Sequence, residues 1–210
     1  MKEKTNLTVN KQKFLEILNS VDRKNIDSLI KVLETEGFFE APASTKFHGN
    51  YPGGLVEHSL NVYTQAMYLY NIECKLKKDI AKNITKENVI IASLLHDVCK
   101  SNLYTIVKKW RKDDKNKWEQ YDTYDHDYSN LPIGHGEKSV VKILLSGVEL
   151  TEDEILAIRW HMGGFDISTY GDAKQSFNVA GDKSPLVPII MCADVLASRI
   201  TENDFDKKKE

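Results

Sequence analysis

His96 and Asp97 form a doublet near the C-terminal end of the most apolar stretch of the chain, VIIASLLHDVCK. Carboxylates are rarely buried without a partner, because an unpaired ionised group in apolar surroundings carries a heavy desolvation cost. A divalent cation held by the doublet removes that cost. Neighbouring helical residues diverge by about 100°, so His96 and Asp97 form a wedge around an ion, and further ligands must come from other helices. Two residues in comparable settings supply them. His58 follows GGLVE near the start of a long helical pattern, and Asp194 sits in the middle of the apolar run MCADVLA. Mixed imidazole and carboxylate ligation suits Mn, Fe, Co, Ni or Zn better than Ca, without singling out one metal. Lys100 lies one helical turn beyond His96, where its ammonium can face the same cleft and hold a phosphate oxygen; the competing reading is a lysine that meets the helix dipole. His48, in the loop before His58, is a candidate substrate contact, and the plainer reading is a loop histidine bonded to backbone.

Several elements must position these groups. Phe14, Leu15, Leu18, Ile26, Leu29, Ile30 and Leu33 recur at helical spacing, with Asp22 as a cap for the second helix and Gly37 as its stop. They predict an N-terminal helical hairpin over residues 1–40, packed on the core. The segment FFEAPASTKFHGNYPGG reads as an ordered loop, followed by a long helix from Leu55 to Lys77. Thr85 and Asn88 suggest a cap for a central helix that runs on through Lys100. YTIVKKW and KWEQYDTYD, on either side of RKDDKN, predict a two-stranded hairpin at about residues 104–124. Helical spacing resumes in EKSVVKILLSG, in TEDEILAIRWH, where Thr151 and Glu154 make a capping-box pattern, and in PLVPIIMCADVLASRI. Residues 202–210 read as a charged tail, and the fold class is mainly α.

The balance of 29 basic against 31 acidic residues, net −2, excludes a strong overall field for nucleic acid or anionic membrane, so an anionic substrate must be attracted locally. The predicted hairpin carries Lys108, Lys109, Arg111, Lys112, Lys115 and Lys117 around Trp110 and Trp118, a composition that suits charge and stacking along a single strand. The plainer reading, favoured by Asp113 and Asp114, is a solvated face with tryptophans in the core. His126 is assigned to a solvated loop. Cys74, Cys99 and Cys192 are odd in number and apolar in context, as for reduced core thiols of a cytosolic protein. Neither a signal-peptide apolar region nor a membrane-length run is evident, which predicts a soluble, cytoplasmic chain with no membrane partner. Oligomeric state is left open.

The order His58, His96-Asp97, Asp194, in the strings GGLVEHSLNV, LLHDVCK and MCADVLAS, resembles the HD superfamily of metal-dependent phosphohydrolases, over roughly residues 47–201. The resemblance implies an HD-type catalytic domain at 41–201, a helical bundle with a small β-hairpin insertion. His135 in IGHGEKSV and His161 in IRWHMGG match positions where two-metal members carry additional histidines, which would make Asp97 a bridge between two ions. FHGNYPGGLVEHSL and GHGEKS also resemble the catalytic HD domain of bacterial 3'-to-5' exoribonucleases, although this chain lacks room for their separate oligonucleotide-binding domain. Some relatives pair two histidines where this chain reads His161-Met162; a thioether is a poor ligand for a hard ion, so two divalent ions are expected rather than three, Mg joining the metals not distinguishable. The implied reaction is hydrolysis of phosphate esters of nucleotides, phosphorylated small molecules or short single-stranded nucleic acid by an activated water. A mononuclear nucleotidase or nucleoside triphosphate hydrolase, and a non-catalytic nucleotide-binding regulatory module, are the alternatives.

Overall fold

The computed structural model describes residues 7–167 and 171–204. Its elements are α1 (Leu7–Asn19), α2 (Ile26–Thr35), α3 (Gly54–Leu76), α4 (Ile80–Asn83), α5 (Lys86–Leu95), β1 (Tyr104–Lys112), β2 (Trp118–His126), α6 (His135–Leu145), α7 (Glu152–Trp160), α8 (Ala173–Lys183) and α9 (Leu186–Leu196). The fold is mainly α with one antiparallel β-hairpin, as the patterning predicts.

The central element is α5, which packs against α1, α3, α7 and α9. Its near-continuous apolar character has that cause: Val89, Ile91, Ala92, Leu94 and Leu95 are all fully buried. At its start Thr85 accepts from the Asn88 amide while the Asn88 side chain accepts from the Thr85 amide, so two of the donors orphaned at a helix start are satisfied reciprocally. Thr151 and Glu154 do the same for α7. The N-terminal pair joins the same core, where Phe14, Phe38 and Phe39 meet with ring centroids 5.2 to 5.6 Å apart.

Several differences from the patterning have local causes. The central helix stops at Leu95 instead of running to Lys100, because Asp97 leaves helical geometry (φ −108°, ψ 19°) and the chain tightens into a 3-10 turn over Val98–Lys100. Asp22 does not cap α2; Asn25 occupies that position with φ 65°, and its side chain donates to the Gly147 carbonyl at 2.6 Å instead. The hairpin runs to His126, paired with Tyr104, so His126 is a strand residue whose ring stacks on Tyr128. Trp110 and Trp118 are 62% and 65% exposed and belong to no core, since a two-stranded ribbon has no second layer to cover them. Among the expected core thiols Cys99 is buried, Cys74 half-buried and Cys192 exposed. Helix α8 has no counterpart in the predicted elements: AKQSFNVAGDK buries only Ala180 and so lacks a broad apolar stripe.

Among the described residues no single helix is long and apolar enough to cross a membrane. Residues 205–210 of the expected charged tail lie outside the described residues.

Candidate metal centre

Five elements bring the predicted residues together. His58 comes from the first turns of α3, His96 and Asp97 from the end of α5, His135 from the first residue of α6, His161 from the residue after α7, and Asp194 from α9. His58, His96, Asp97 and His161 are buried. Their donor atoms fall into overlapping sets in which all atoms lie within 4.8 Å of one another: His58, His96 and Asp194; His96, Asp97 and His161; Asp97, Cys99 and His135.

Asp97 lies at the middle of this arrangement, and its two carboxylate oxygens face different partners. Oδ2 lies 2.7 Å from Lys100 Nζ, 3.3 Å from His96 Nε2 and 3.7 Å from His58 Nε2. Oδ1 lies 2.7 Å from His135 Nε2 and 3.5 Å from His161 Nε2. On the first side Asp194 Oδ1 is 3.2 Å from His58 Nε2. The break in α5 makes this possible, since it releases Asp97 from the helical spacing and folds Lys100 back onto it.

The outer edges of the imidazoles are fixed. His96 Nδ1 donates to the Ser93 carbonyl at 2.8 Å and His161 Nδ1 to the Ile158 carbonyl at 2.7 Å. His58 Nδ1 meets Glu202 Oε1 at 2.9 Å. With Nδ1 carrying the proton, each neutral ring turns its Nε2 lone pair inward. His58 Nε2 and His96 Nε2 then stand 3.4 Å apart, and His161 Nε2 is buried with no hydrogen-bond partner. Lone pairs converging on a carboxylate repel one another unless a cation sits among them, so the donor set fits a divalent metal of the imidazole and carboxylate class.

The electrostatics agree. Burial opposes charge on His58, but the Asp194 and Glu202 carboxylates outweigh it and push the imidazole up to about 10. Burial is likewise overcome at His135 by the Cys99 sulfur and Asp97, which raise it to about 10. Burial would lift Asp97, yet Lys100 and His96 hold it well below the usual carboxylate range. Asp194 is also held low, where His58 outweighs the desolvation, whereas burial depresses His161. Lys100 is raised, the Asp97 charge prevailing over its burial. The carboxylates that raise His58 and His135 would equally favour a cation among these donors.

The site opens into a cavity of about 500 Å3 whose wall includes Lys46, Phe47, His48, Lys100, Phe165 and Arg199. His48 stands with its ring 4.7 Å from that of His58, its Nε2 buried and unpartnered, and burial lowers it to about 4. A second cavity of about 310 Å3 reaches the His135 side and is lined by Cys99, Tyr104, Tyr128 and His135.

Two members of the cluster escaped the sequence patterning. Glu202 sits among charged residues at the end of the chain, yet it is bonded to His58 and to Asn61 Nδ2, 3.0 Å away. A π-helical turn over Ala197–Thr201 brings it there: the wider winding returns Glu202 to the face of the helix that carries Asp194. Cys99 reads as a core thiol, and nothing in its spacing marks its approach to His135.

No protein-family model matches the sequence, and no solved structure matches it. Among curated proteins the chain is similar to the dihydroneopterin 2',3'-cyclic phosphate phosphodiesterase of Methanocaldococcus jannaschii, with 30% identity over 112 residues, 51% of this chain. The match spans 41% of the length of that archaeal protein.

Proposed function

We propose that the chain is a metal-dependent phosphohydrolase of the HD type that acts on phosphate esters of nucleotides or related small molecules, short single-stranded nucleic acid being the larger alternative. The observation that carries this reading is the division of nitrogen donors between the two oxygens of Asp97, with three Nε2 edges turned inward by fixed Nδ1 bonds. His58, His96, Asp97 and Asp194 would hold one ion, and Asp97, His135 and His161 a second. When bound, such ions supply an activated water for in-line attack on phosphorus and neutralise charge on the phosphoryl oxygens.

The remaining residues bind and orient. Lys100, already charged and aimed into the cluster, donates to a non-bridging phosphate oxygen. Lys46 and Arg199 on the cavity wall attract the anion locally, which suits a chain with no net basic field. Neutral His48 offers its free Nε2 to the ester. Phe47 and Phe165, 81% and 82% exposed at the mouth, present flat apolar faces to a planar ring. The similarity to a protein named for a cyclic phosphate diester supports a small phosphodiester over a long polymer, so the likeness in motif context to exoribonucleases is given less weight.

The test combines metal analysis of the purified chain with hydrolysis of an aryl phosphate ester, nucleotides, a 2',3'-cyclic nucleotide and a short oligonucleotide. Two equivalents of metal and turnover of at least one ester, lost in Asp97→Ala, are expected. A metal-free chain, or activity that survives Asp97→Ala, overturns the reading.

A further inference from the structure

Tyr104, His126 and Tyr128 line the smaller cavity and take no part in the mechanism above. The backbone fixes them as a group. Tyr104 and His126 are partners in the hairpin ladder, and the Asp127 amide donates to the Leu103 carbonyl at 2.7 Å, which closes the hairpin base. Directly opposed residues of a ladder share a face, and here the two rings meet edge to face with centroids 5.3 Å apart. Tyr128 continues the row, its ring nearly parallel to that of His126 at 5.4 Å.

The polar part of the wall is cationic. Lys100 and Lys138 line the cavity, and no carboxylate lines it among the described residues. Lys138 Nζ donates to the Asn130 carbonyl at 2.5 Å, which uses one of the three donors of an ammonium and leaves others for a ligand oxygen. Rings beside an ammonium suit a planar heteroaromatic group that carries a carbonyl oxygen.

The position of the cavity says what that group is attached to. Lys100 and Met162 line both cavities, the larger lying on the Asp194 side of the cluster and the smaller on the His135 side. A phosphate held by Lys100 beside Asp97 therefore has a cavity in each direction. The smaller, at about 310 Å3, is at the lower end for a small-molecule pocket and takes one nucleoside-sized group. A phosphomonoester or a cyclic mononucleotide has a single organic group and fills only one of the two.

We propose that the smaller cavity is a second ring-binding subsite, and that the substrate is a small linear phosphodiester with a heteroaromatic group on each side of phosphorus, of the dinucleotide class. The inference rests on the phosphohydrolase reading above and narrows it. One ring lies against Phe47 and Phe165, and the other against Tyr128 and its neighbours, with Lys138 donating to a ring carbonyl oxygen. Water adds to phosphorus, one P–O ester bond breaks and the departing oxygen takes a proton, so the products are a mononucleotide and a nucleoside.

The test assays the metal-loaded full-length chain with a linear dinucleotide, a 2',3'-cyclic mononucleotide and an aryl phosphate ester. The dinucleotide should show a kcat/KM at least about tenfold above the cyclic mononucleotide, because its second ring adds binding energy away from the reacting bond. Tyr128 is 69% exposed, so Tyr128→Ala spares the core. That variant should lose at least about fivefold more kcat/KM on the dinucleotide than on the cyclic mononucleotide, the loss expected for one stacked base. Tyr128→Phe keeps the ring and should keep the preference. Equal losses on both substrates, a preference lost in Tyr128→Phe, or a dinucleotide cleaved no better than the cyclic mononucleotide overturns the subsite alone. Failure to hydrolyse any of the three esters overturns it together with the phosphohydrolase reading.

Discussion

Glu202 Oε1 lies 2.9 Å from His58 Nδ1 across 144 residues of sequence, and the same oxygen accepts from Asn61 Nδ2 at 3.0 Å. The carboxylate thereby fixes the tautomer of His58, holds the ring in the plane that aims Nε2 at Asp194, and makes that nitrogen a better donor. Glu202→Ala should weaken the metal equivalent held at His58 about 10- to 100-fold in a chelator-competition titration. Glu202→Gln, whose carbonyl oxygen still accepts from Nδ1–H, should lose less. Equal affinities for Glu202→Ala and the unaltered chain would show that His58 needs no such support.

Lys100 makes its ion pair with Asp97 Oδ2 at 2.7 Å, inside the wall of the larger cavity. If its task is to hold a phosphoryl oxygen, Lys100→Met should remove a charge-assisted hydrogen bond of about 1.5–3 kcal/mol and lower kcat/KM by about ten- to a hundredfold. Metal stoichiometry should stay the same, because an ammonium is not a ligand. Loss of metal together with activity would instead mean that Lys100 acts by positioning Asp97.

The part of the site legible in the sequence is the part that rests on contrast. A histidine and carboxylates in apolar runs stand out because burial makes them costly, and His58, His96, Asp97 and Asp194 converge as that contrast implies. Capping at Thr85 and Thr151 is equally local and appears where the patterning puts it. Glu202 offers no contrast, since a carboxylate among charged neighbours looks solvated until a π-helical turn carries it to His58. Cys99 is invisible for the opposite reason: a thiol in an apolar run matches the ordinary core. The two exposed tryptophans mislead because ring size alone suggests burial, whereas the hairpin has no partner layer. Helix α8 is hidden by its composition, as Ala180 is its one buried residue and Ala173 and Phe177 reach the core only in part.

Gly136, the second residue of α6, sits against the backbone of α7: a Cβ there would overlap the Arg159 carbonyl. That close approach holds the His135 and His161 rings 5.2 Å apart, because each histidine lies within two residues of the contact. Gly136→Ala must push the two helices apart or strain them, at about 1–3 kcal/mol. Metal analysis should then give one equivalent instead of two, with the ion at His58, His96 and Asp194 retained. Two equivalents bound as in the unaltered chain would show that the second site tolerates the shift.

The N-terminal helical pair is coupled to the site by a buried ion pair. Arg23, in the connection between α1 and α2, donates from both terminal nitrogens to Glu154, each bond 2.9 Å, and Glu154 is fully buried. Glu154 also accepts from Asn88 Nδ2 at 2.9 Å, so one carboxylate joins the starts of α5 and α7, the helices whose far ends present His96 and His161. Replacing only the cation leaves a buried charge without its principal partner, the costly way to break such a pair. Arg23→Met should therefore lower stability by about 3 kcal/mol, the low end for buried pairs because Arg23 keeps some contact with water. Urea unfolding followed by circular dichroism reads this as a fall in midpoint at constant slope. Arg23→Lys, which restores the charge but only one of the two parallel bonds, should recover part of the loss. A change below about 1 kcal/mol for Arg23→Met would place the pair in the surface class of weak ion pairs and leave the hydrophobic contacts of α1 as the main tie between the N-terminal helices and the core.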